Sequence, residues 1–111
     1  TYGNDEQHKQ WLPKLLSMEL LASYCLTEPQ SGSDAGSLQT KAALADQQYS
    51  VNGSKAFISG GGTTDLYLTM VRTKAEGSKA ITCLLIPKTT EGLRFGKPEV
   101  KLGWHSQPTS M

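Results

Sequence analysis

Tyr24-Cys25-Leu26-Thr27-Glu28-Pro29-Gln30-Ser31-Gly32-Ser33-Asp34 divides this chain into two kinds of sequence. Before it the pattern is helical, and after it short strands alternate with turns. The stretch itself is neither. Thr27, Ser31 and Ser33 bring hydroxyls, and Pro29 fixes one backbone angle and removes a donor. Gly32 opens conformations closed to other residues. Such a segment can turn several N–H groups and hydroxyls toward one electron-rich bound group. It lacks the lysine and glycine spacing of a phosphate-binding P-loop. The alternative reading is a helix-to-sheet connector rich in turn formers.

Upstream, Asn4 is placed to cap a helix that carries Asp5 and Glu6 in its first turn. That helix is expected to reach Trp11 or Leu12, where Pro13 interrupts it and opens a second short helix. Leu15, Leu16, Leu20 and Leu21 give a mixed signal. The first pair fits helical spacing, while residues 21–26 read equally well as a strand entering a sheet.

Downstream, the period becomes two. Leu38, Thr40 and Ala42 alternate with Gln39, Lys41 and Ala43, residues 45–47 make a turn, and Tyr49 and Val51 continue the alternation to Asn52-Gly53. That dipeptide predicts a tight hairpin, because both residues tolerate positive φ. Residues 54–59 are then the returning strand, with Phe57 and Ile58 as its bulk, ended by Gly60, Gly61 and Gly62. Residues 66–73 and 80–86 predict two more strands, joined by a polar loop over residues 74–79 and stopped by Pro87. Residues 89–92 read as a turn, residues 93–100 as a short edge strand, and residues 105–111 show no pattern. Six or seven short strands with turns every ~8–12 residues specify a mainly β domain, a sandwich or open barrel preceded by short helices. Residues 1–20 are expected to end a helical unit, and residues 21–111 to form a β-domain without its closing strand. An unfinished edge of that kind invites pairing with more chain, so the sequence reads as part of a longer protein.

The bulk properties narrow the function classes. At 111 residues the chain is one domain at most. A net charge of +1 supplies no field to attract nucleic acid or an anionic membrane surface. An apolar content of 37% with 11 glycines suits a small β-rich core. No apolar run approaches the roughly 20 residues that span a bilayer. The opening residues are polar and carry charges of both signs, unlike a signal peptide. Cys25 and Cys83 lie far apart, in apolar stretches typical of buried free thiols, and neither has a CxxC partner. This argues against a metal site and points to a reducing compartment.

Catalytic constellations are sparse. Ser31 and Ser33 have no base nearby in sequence, since His8 and His105 stand at opposite ends and read as solvated surface residues. Glu28 and Asp34 are a candidate carboxylate pair, but both neighbour turn-type N–H donors and read first as caps. What remains is a run of hydroxyls and donors from Thr27 to Ser33, with the aromatic Phe57 and, two residues on, Ser59 on the same strand face. Donors on one side and an aromatic on the other make a slot for a planar heteroaromatic ring. The competing reading places Phe57 in the sheet core.

These residues carry a resemblance. Cys25-Leu26-Thr27-Glu28-Pro29-Gln30-Ser31-Gly32-Ser33-Asp34 resembles the first signature of the acyl-CoA dehydrogenases, flavoenzymes that oxidise acyl-CoA thioesters. Asn52-Gly53-Ser54-Lys55-Ala56-Phe57-Ile58-Ser59-Gly60 resembles the family's hairpin and flavin-contacting strand, and Ser33 and Phe57 stand at the family's usual interval. The opening residues through Trp11-Leu12-Pro13-Lys14-Leu15 resemble the helices that lead into its middle domain. Lys101-Leu102-Gly103-Trp104 is similar to a late segment of that domain. Nearly the whole chain is covered, and two linked motifs are more specific than either alone. Ser54-Lys55-Ala56-Phe57-Ile58-Ser59 and Gly103-Trp104-His105-Ser106-Gln107-Pro108-Thr109 look most like the short branched-chain members, with isobutyryl-CoA as the expected substrate. Gln30 departs from a common glycine, and Phe57 from the tryptophan of many members.

The resemblance implies an all-β middle domain between two helical domains, with FAD as cofactor. Tyr24, Cys25, Leu26, Thr27, Ser31, Gly32 and Ser33 would line the FAD, with Thr27 near its pyrimidine end. Phe57 would pack on the isoalloxazine, and Ile58 and Ser59 would follow it along the flavin, Ser59 approaching N5. Ser33 would also meet the acyl-CoA chain. No residue here matches the family's proton-abstracting carboxylate, which implies a base in a C-terminal helical domain and no activity for this chain alone. The implied electron acceptor is an electron-transfer flavoprotein, and the implied assembly is a homotetramer. The implied compartment is the mitochondrial matrix of a eukaryote or otherwise the cytoplasm, in branched-chain (valine) or fatty acid catabolism. Two rivals stand beside this reading. An acyl-CoA oxidase on the same scaffold would differ in the oxygen reactivity of its reduced form, and a cofactor-free β-sandwich binding module would show no flavin band.

Overall fold

The computed structural model describes residues 2–73 and 80–111. Helix α1 spans Asp5–Leu16 and begins as its sequence requires. The Asn4 side chain accepts from the Gln7 N–H at 2.9 Å while the Gln7 side chain accepts from the Asn4 N–H at 3.0 Å. This reciprocal cap is worth about 1 kcal/mol. Pro13 does not interrupt the helix, contrary to expectation. α1 continues through it and ends at Ser17, whose N–H bonds the Pro13 carbonyl at 3.0 Å. A proline inside a helix forfeits one ladder bond, here to the carbonyl of Lys9, and Lys9 is exposed, so water can take that place.

Seven strands follow among the described residues: β1 (Ala22–Cys25), β2 (Lys41–Ala45), β3 (Gln48–Asn52), β4 (Ile58–Ser59), β5 (Leu66–Arg72), β6 (Ile81–Pro87) and β7 (Thr109–Ser110). The ambiguous leucine region thus ends in a strand, with Ser23 and Cys25 buried and Ala22 and Tyr24 exposed. β5 is the spine of the sheet. β6 pairs antiparallel along one whole edge of it, from Leu66↔Pro87 to Arg72↔Ile81. The other edge is shared: β1 runs parallel beside residues 66–69, and β2 takes over at Lys41↔Arg72. The segment from Leu26 to Thr40 is therefore an excursion that leaves one edge of β5 and returns to it. The polar loop expected over residues 74–79 lies outside the described residues.

The hairpin lies elsewhere than Asn52-Gly53 predicts. β2 and β3 pair antiparallel, Lys41↔Asn52 to Ala45↔Gln48, and Asp46 and Gln47 close the turn with φ of 49° and 62°. Two consecutive positive φ values suit the right-handed twist of a tight hairpin. Asn52-Gly53 instead ends β3. Gly53, at φ 152°, lies so close to Thr40 that a Cβ there would stand 2.5 Å from the Thr40 hydroxyl and 2.7 Å from its Cα. Close approach, not a reversal, demands the glycine.

Residues 54–59 do not return beside β3. Within them only Ile58 and Ser59 form strand, and they pair with β7 at Ile58↔Ser110 and Ser59↔Thr109. A closing strand thus exists at residues 109–110, where no pattern was expected, and Gly60 N–H to Pro108 O at 2.8 Å extends the contact. Residues 93–100 hold no strand. They pass over the core, where Cys25, Ile58 and Tyr67 are joined by Ile86, Leu93 and Phe95. The Tyr67 and Phe95 rings lie 5.2 Å apart at 39°, a pairing worth about 1 kcal/mol beyond the area it buries. Both cysteines are free, but only Cys25 is buried; Cys83 is exposed on β6, correcting the expectation for that thiol.

Candidate functional site

Two segments distant in sequence lie side by side. The Ser23 hydroxyl donates to Ser59 O at 2.6 Å, the Ala56 N–H to Thr27 O at 2.8 Å, and the Lys55 ammonium to Leu26 O at 3.0 Å. These links set residues 23–27 and 55–59 antiparallel. Ser23, Cys25, Ala56 and Ile58 turn inward, whereas Tyr24 and Phe57 are 58% and 68% exposed and Ser59 is exposed with them. The result is a shelf whose exposed surface carries two aromatic rings and a hydroxyl. Contrary to expectation, Phe57 is not a paired strand residue; it sits just before β4 in the left-handed region, at φ 56°. Nor is it part of the core. A bulky residue in that region costs about 1 kcal/mol or more, so its neighbours must hold it there.

The candidate hydroxyls divide. Among the described residues, those of Thr27, Ser33 and Ser59 have no partner within the chain and are free for a ligand. Ser31 is committed. It is buried, its hydroxyl donates to Asp34 O at 2.7 Å, and its backbone bridges Glu28 in both directions at 2.9 and 3.1 Å. Pro29 and Gln30 form the tip of that tight loop, and Gly32 and Ser33 follow it exposed. Cys25 and Ile58 place their side chains in the core, so toward the exposed aromatics they offer only backbone, while Leu26 is half-buried.

Glu28 is the residue whose weight the sequence hid. It is 2% exposed and holds four groups: Lys55 Nζ at 2.7 Å, Gln39 N at 2.6 Å, Thr40 N at 2.9 Å and Gln30 Nε2 at 2.6 Å. Its carboxylate thereby joins the start of the excursion at Leu26 to its end at Thr40. Burial alone would raise its pKa. The Lys55 ammonium and the Thr40 and Gln39 groups around it outweigh that and bring it from the ordinary 4.5 to about 2. The role is structural, as its turn-rich neighbourhood suggested, but the partner is a lysine 27 residues away.

The remaining candidate groups are engaged in local contacts. His8 and His105 each hold a backbone carbonyl, Tyr2 O at 2.6 Å and Lys101 O at 2.7 Å. Asp34 accepts from the Ser37 hydroxyl, and Asp65 accepts the Leu21 N–H at 2.9 Å. Burial pushes the Cys25 thiol up, so it stays protonated. Among the described residues no group of His, Cys, Asp and Glu could hold a metal. A cleft of about 860 Å³ lies elsewhere, lined by Cys25, Ile58, Tyr67, Leu84, Ile86 and Phe95. Tyr24, Phe57 and Ser59 do not line it.

Residues 23–111 match the family described as acyl-CoA dehydrogenase, middle domain. The chain is 65% identical over 109 residues to the mitochondrial isobutyryl-CoA dehydrogenase of Dictyostelium discoideum, and 55% identical over 108 residues to that of Bos taurus. Each alignment covers 97% of this chain and 26% of the relative, so the chain spans about a quarter of their length. Among solved structures, a glutaryl-CoA dehydrogenase from Mycobacterium smegmatis in complex with FADH2 superposes with a TM-score of 0.89 at 29% identity, covering 98% of this chain and 27% of that one.

Proposed function

The chain belongs to the acyl-CoA dehydrogenase family as a middle domain, and from that premise we propose that it is the flavin- and acyl-CoA-facing part of an FAD-dependent dehydrogenase of short, branched acyl-CoA. The observation that carries the reading is the shelf. An exposed aromatic held in a strained conformation beside unpaired hydroxyls fits a flat, polar-edged ring. Phe57 would lie against the face of such a ring, and Tyr24 would widen the apolar floor. Thr27 and Ser59 would donate to its polar edges, and the backbone of Cys25, Leu26, Gly32 and Ile58 would complete the lining. Ser33, exposed beyond the tight loop, would serve where cofactor and acyl chain meet. FAD, when bound, supplies the two-electron acceptor for α,β-dehydrogenation. The residues of this chain orient it and keep water from its face; donors placed where negative charge accumulates stabilise the reduced state.

Residues 1–20 would end the helical domain that precedes this one. Glu28, Asp34 and Asp65 are each engaged within the chain, and family membership supports an α-proton base supplied by another domain. The same membership supports an electron-transfer flavoprotein as acceptor, a homotetramer, and the mitochondrial matrix if the source is a eukaryote, as both isobutyryl-CoA dehydrogenase relatives are mitochondrial. The full-length protein that carries this segment should purify yellow with FAD near one per chain. It should reduce a dye acceptor with isobutyryl-CoA and react only slowly with oxygen. A colourless protein would overturn the flavin reading, and rapid oxygen consumption would favour an oxidase on the same scaffold.

A further inference from the structure

We propose that the buried Glu28–Lys55 ion pair is a positioning device that sets Phe57 and Ser59 against the flavin, an inference that rests on the reading just given. The pair stands where three segments converge: the loop that leaves β1, the entry to β2 at Gln39 and Thr40, and the connector that delivers Phe57. Lys55 is 9% exposed at its side chain and Glu28 1%. Lys55 divides its ammonium between the Glu28 carboxylate and the Leu26 carbonyl, and the next residue, Ala56, donates its N–H to Thr27 O. The connector is thus pinned at two consecutive positions to residues 26–28. Phe57 follows immediately, at φ 56° and exposed. On its far side Ser59 O accepts from the Ser23 hydroxyl, which also shares a 2.7 Å hydrogen bond with Thr64. Both ends of the Phe57–Ser59 segment are therefore clamped, and a strained backbone persists only where its surroundings over-determine it.

An ion pair is a poor choice for stability alone. Desolvating two charges is costly, and well-packed apolar side chains of equal volume commonly do as well or better. A pair with fixed geometry and every lone pair satisfied instead specifies one arrangement. Here that arrangement is the offset between the Thr27 hydroxyl on one segment and Phe57 and Ser59 on the other. Glu28 and Lys55 would touch neither the flavin nor the substrate; they act through the residues that do.

The test uses the FAD-loaded full-length enzyme and two variants, Lys55→Arg and the double change Glu28→Gln with Lys55→Met. Arginine keeps the charge but cannot place one nitrogen between Glu28 and Leu26 as the ammonium does. The double variant removes both charges, so neither is left buried without a partner. FAD dissociation constant, visible-region circular dichroism of the flavin and melting temperature are read side by side. Both variants should fold, bind FAD about tenfold or more weakly and alter the flavin dichroism, since misplacement by a fraction of an ångström is felt at such sites. Wild-type affinity and dichroism in both variants, whatever the melting temperature does, would overturn the proposal. So would failure of both to fold, because the pair would then maintain the fold itself. A wild-type enzyme without flavin would instead sink the functional reading on which the proposal stands.

Discussion

Single residues carry two measurable consequences. Ser59 presents an unpartnered, exposed hydroxyl beside Phe57. Ser59→Ala in the full-length enzyme should therefore change stability by about 1 kcal/mol or less. It should shift the flavin midpoint potential and lower the rate of flavin reduction. A variant that loses stability while its folded fraction keeps wild-type flavin spectra and rates would make Ser59 structural. Glu28 supplies the second. Its folded pKa of about 2 lies below the ordinary 4.5, so its stabilising contribution is complete above pH 4.5 and disappears as pH falls toward 2. Across that window wild-type stability should fall more steeply with acid than that of Glu28→Gln, which has nothing there to titrate. Equal slopes in acid-unfolding curves would contradict the depressed carboxylate. Glu28 was legible in sequence only as a turn residue with nearby N–H donors. Its lysine lies on a segment that folding alone brings to it, and no periodicity connects the two.

At the scale of elements, Asp46-Gln47, within the turn expected at residues 45–47, closes the hairpin, while Gly53 serves a close approach and not the reversal expected of Asn52-Gly53. Both turn residues bear side chains at positive φ, 49° and 62°. Gln47→Gly should remove that strain and raise the melting temperature by a few degrees, an effect of about 1 kcal/mol. Gly53→Ala should do the opposite. The added methyl would press on Thr40, whose N–H is held by Glu28, and the loss should reach about 1–3 kcal/mol. A neutral Gly53→Ala would show that Thr40 can withdraw and that the close approach is incidental. Sequence pattern succeeded where one face of an element is buried: the alternation of Leu38, Thr40 and Ala42 is matched by their burial, and the Asn4 cap by its reciprocal bonds. It missed β7 and gave β4 the wrong extent and partner, because strands of two residues have no period to read and exist only through each other. It also failed at Pro13, where the local rule for proline yielded to a capped helix with a solvated face.

For the molecule as a whole, β5 organises the sheet, and the excursion from Leu26 to Thr40 is stapled by Glu28 so that the shelf faces outward. The mainly β fold was legible because turns and alternation recur along the chain, and the proposed ligand surface was suggested by hydroxyls and an aromatic in two linked motifs. Which hydroxyls remain free was not legible; Ser31 and Ser33 look alike in sequence and differ only in what folding does with them. Among the described residues nothing covers Phe57 or Ser59, and pockets bury most of their ligand. The carboxylates at Glu28, Asp34 and Asp65 are engaged, and a positioned base contributes typically ~10²–10⁴-fold. The 111-residue chain alone should therefore reduce no dye with FAD and isobutyryl-CoA supplied, against a full-length control. Substrate-dependent bleaching by the chain itself would reveal a base among these residues. The central claim, that residues 24–27 and 57–59 form the flavin-facing surface, is met most directly by a crystal structure of the full-length enzyme with FAD. The account predicts the Phe57 ring in van der Waals contact with the isoalloxazine and the Thr27 and Ser59 hydroxyls within hydrogen-bond distance of its polar edges. A flavin seated instead in the apolar cleft beside Leu84, Ile86 and Phe95, with the shelf bare, would contradict it.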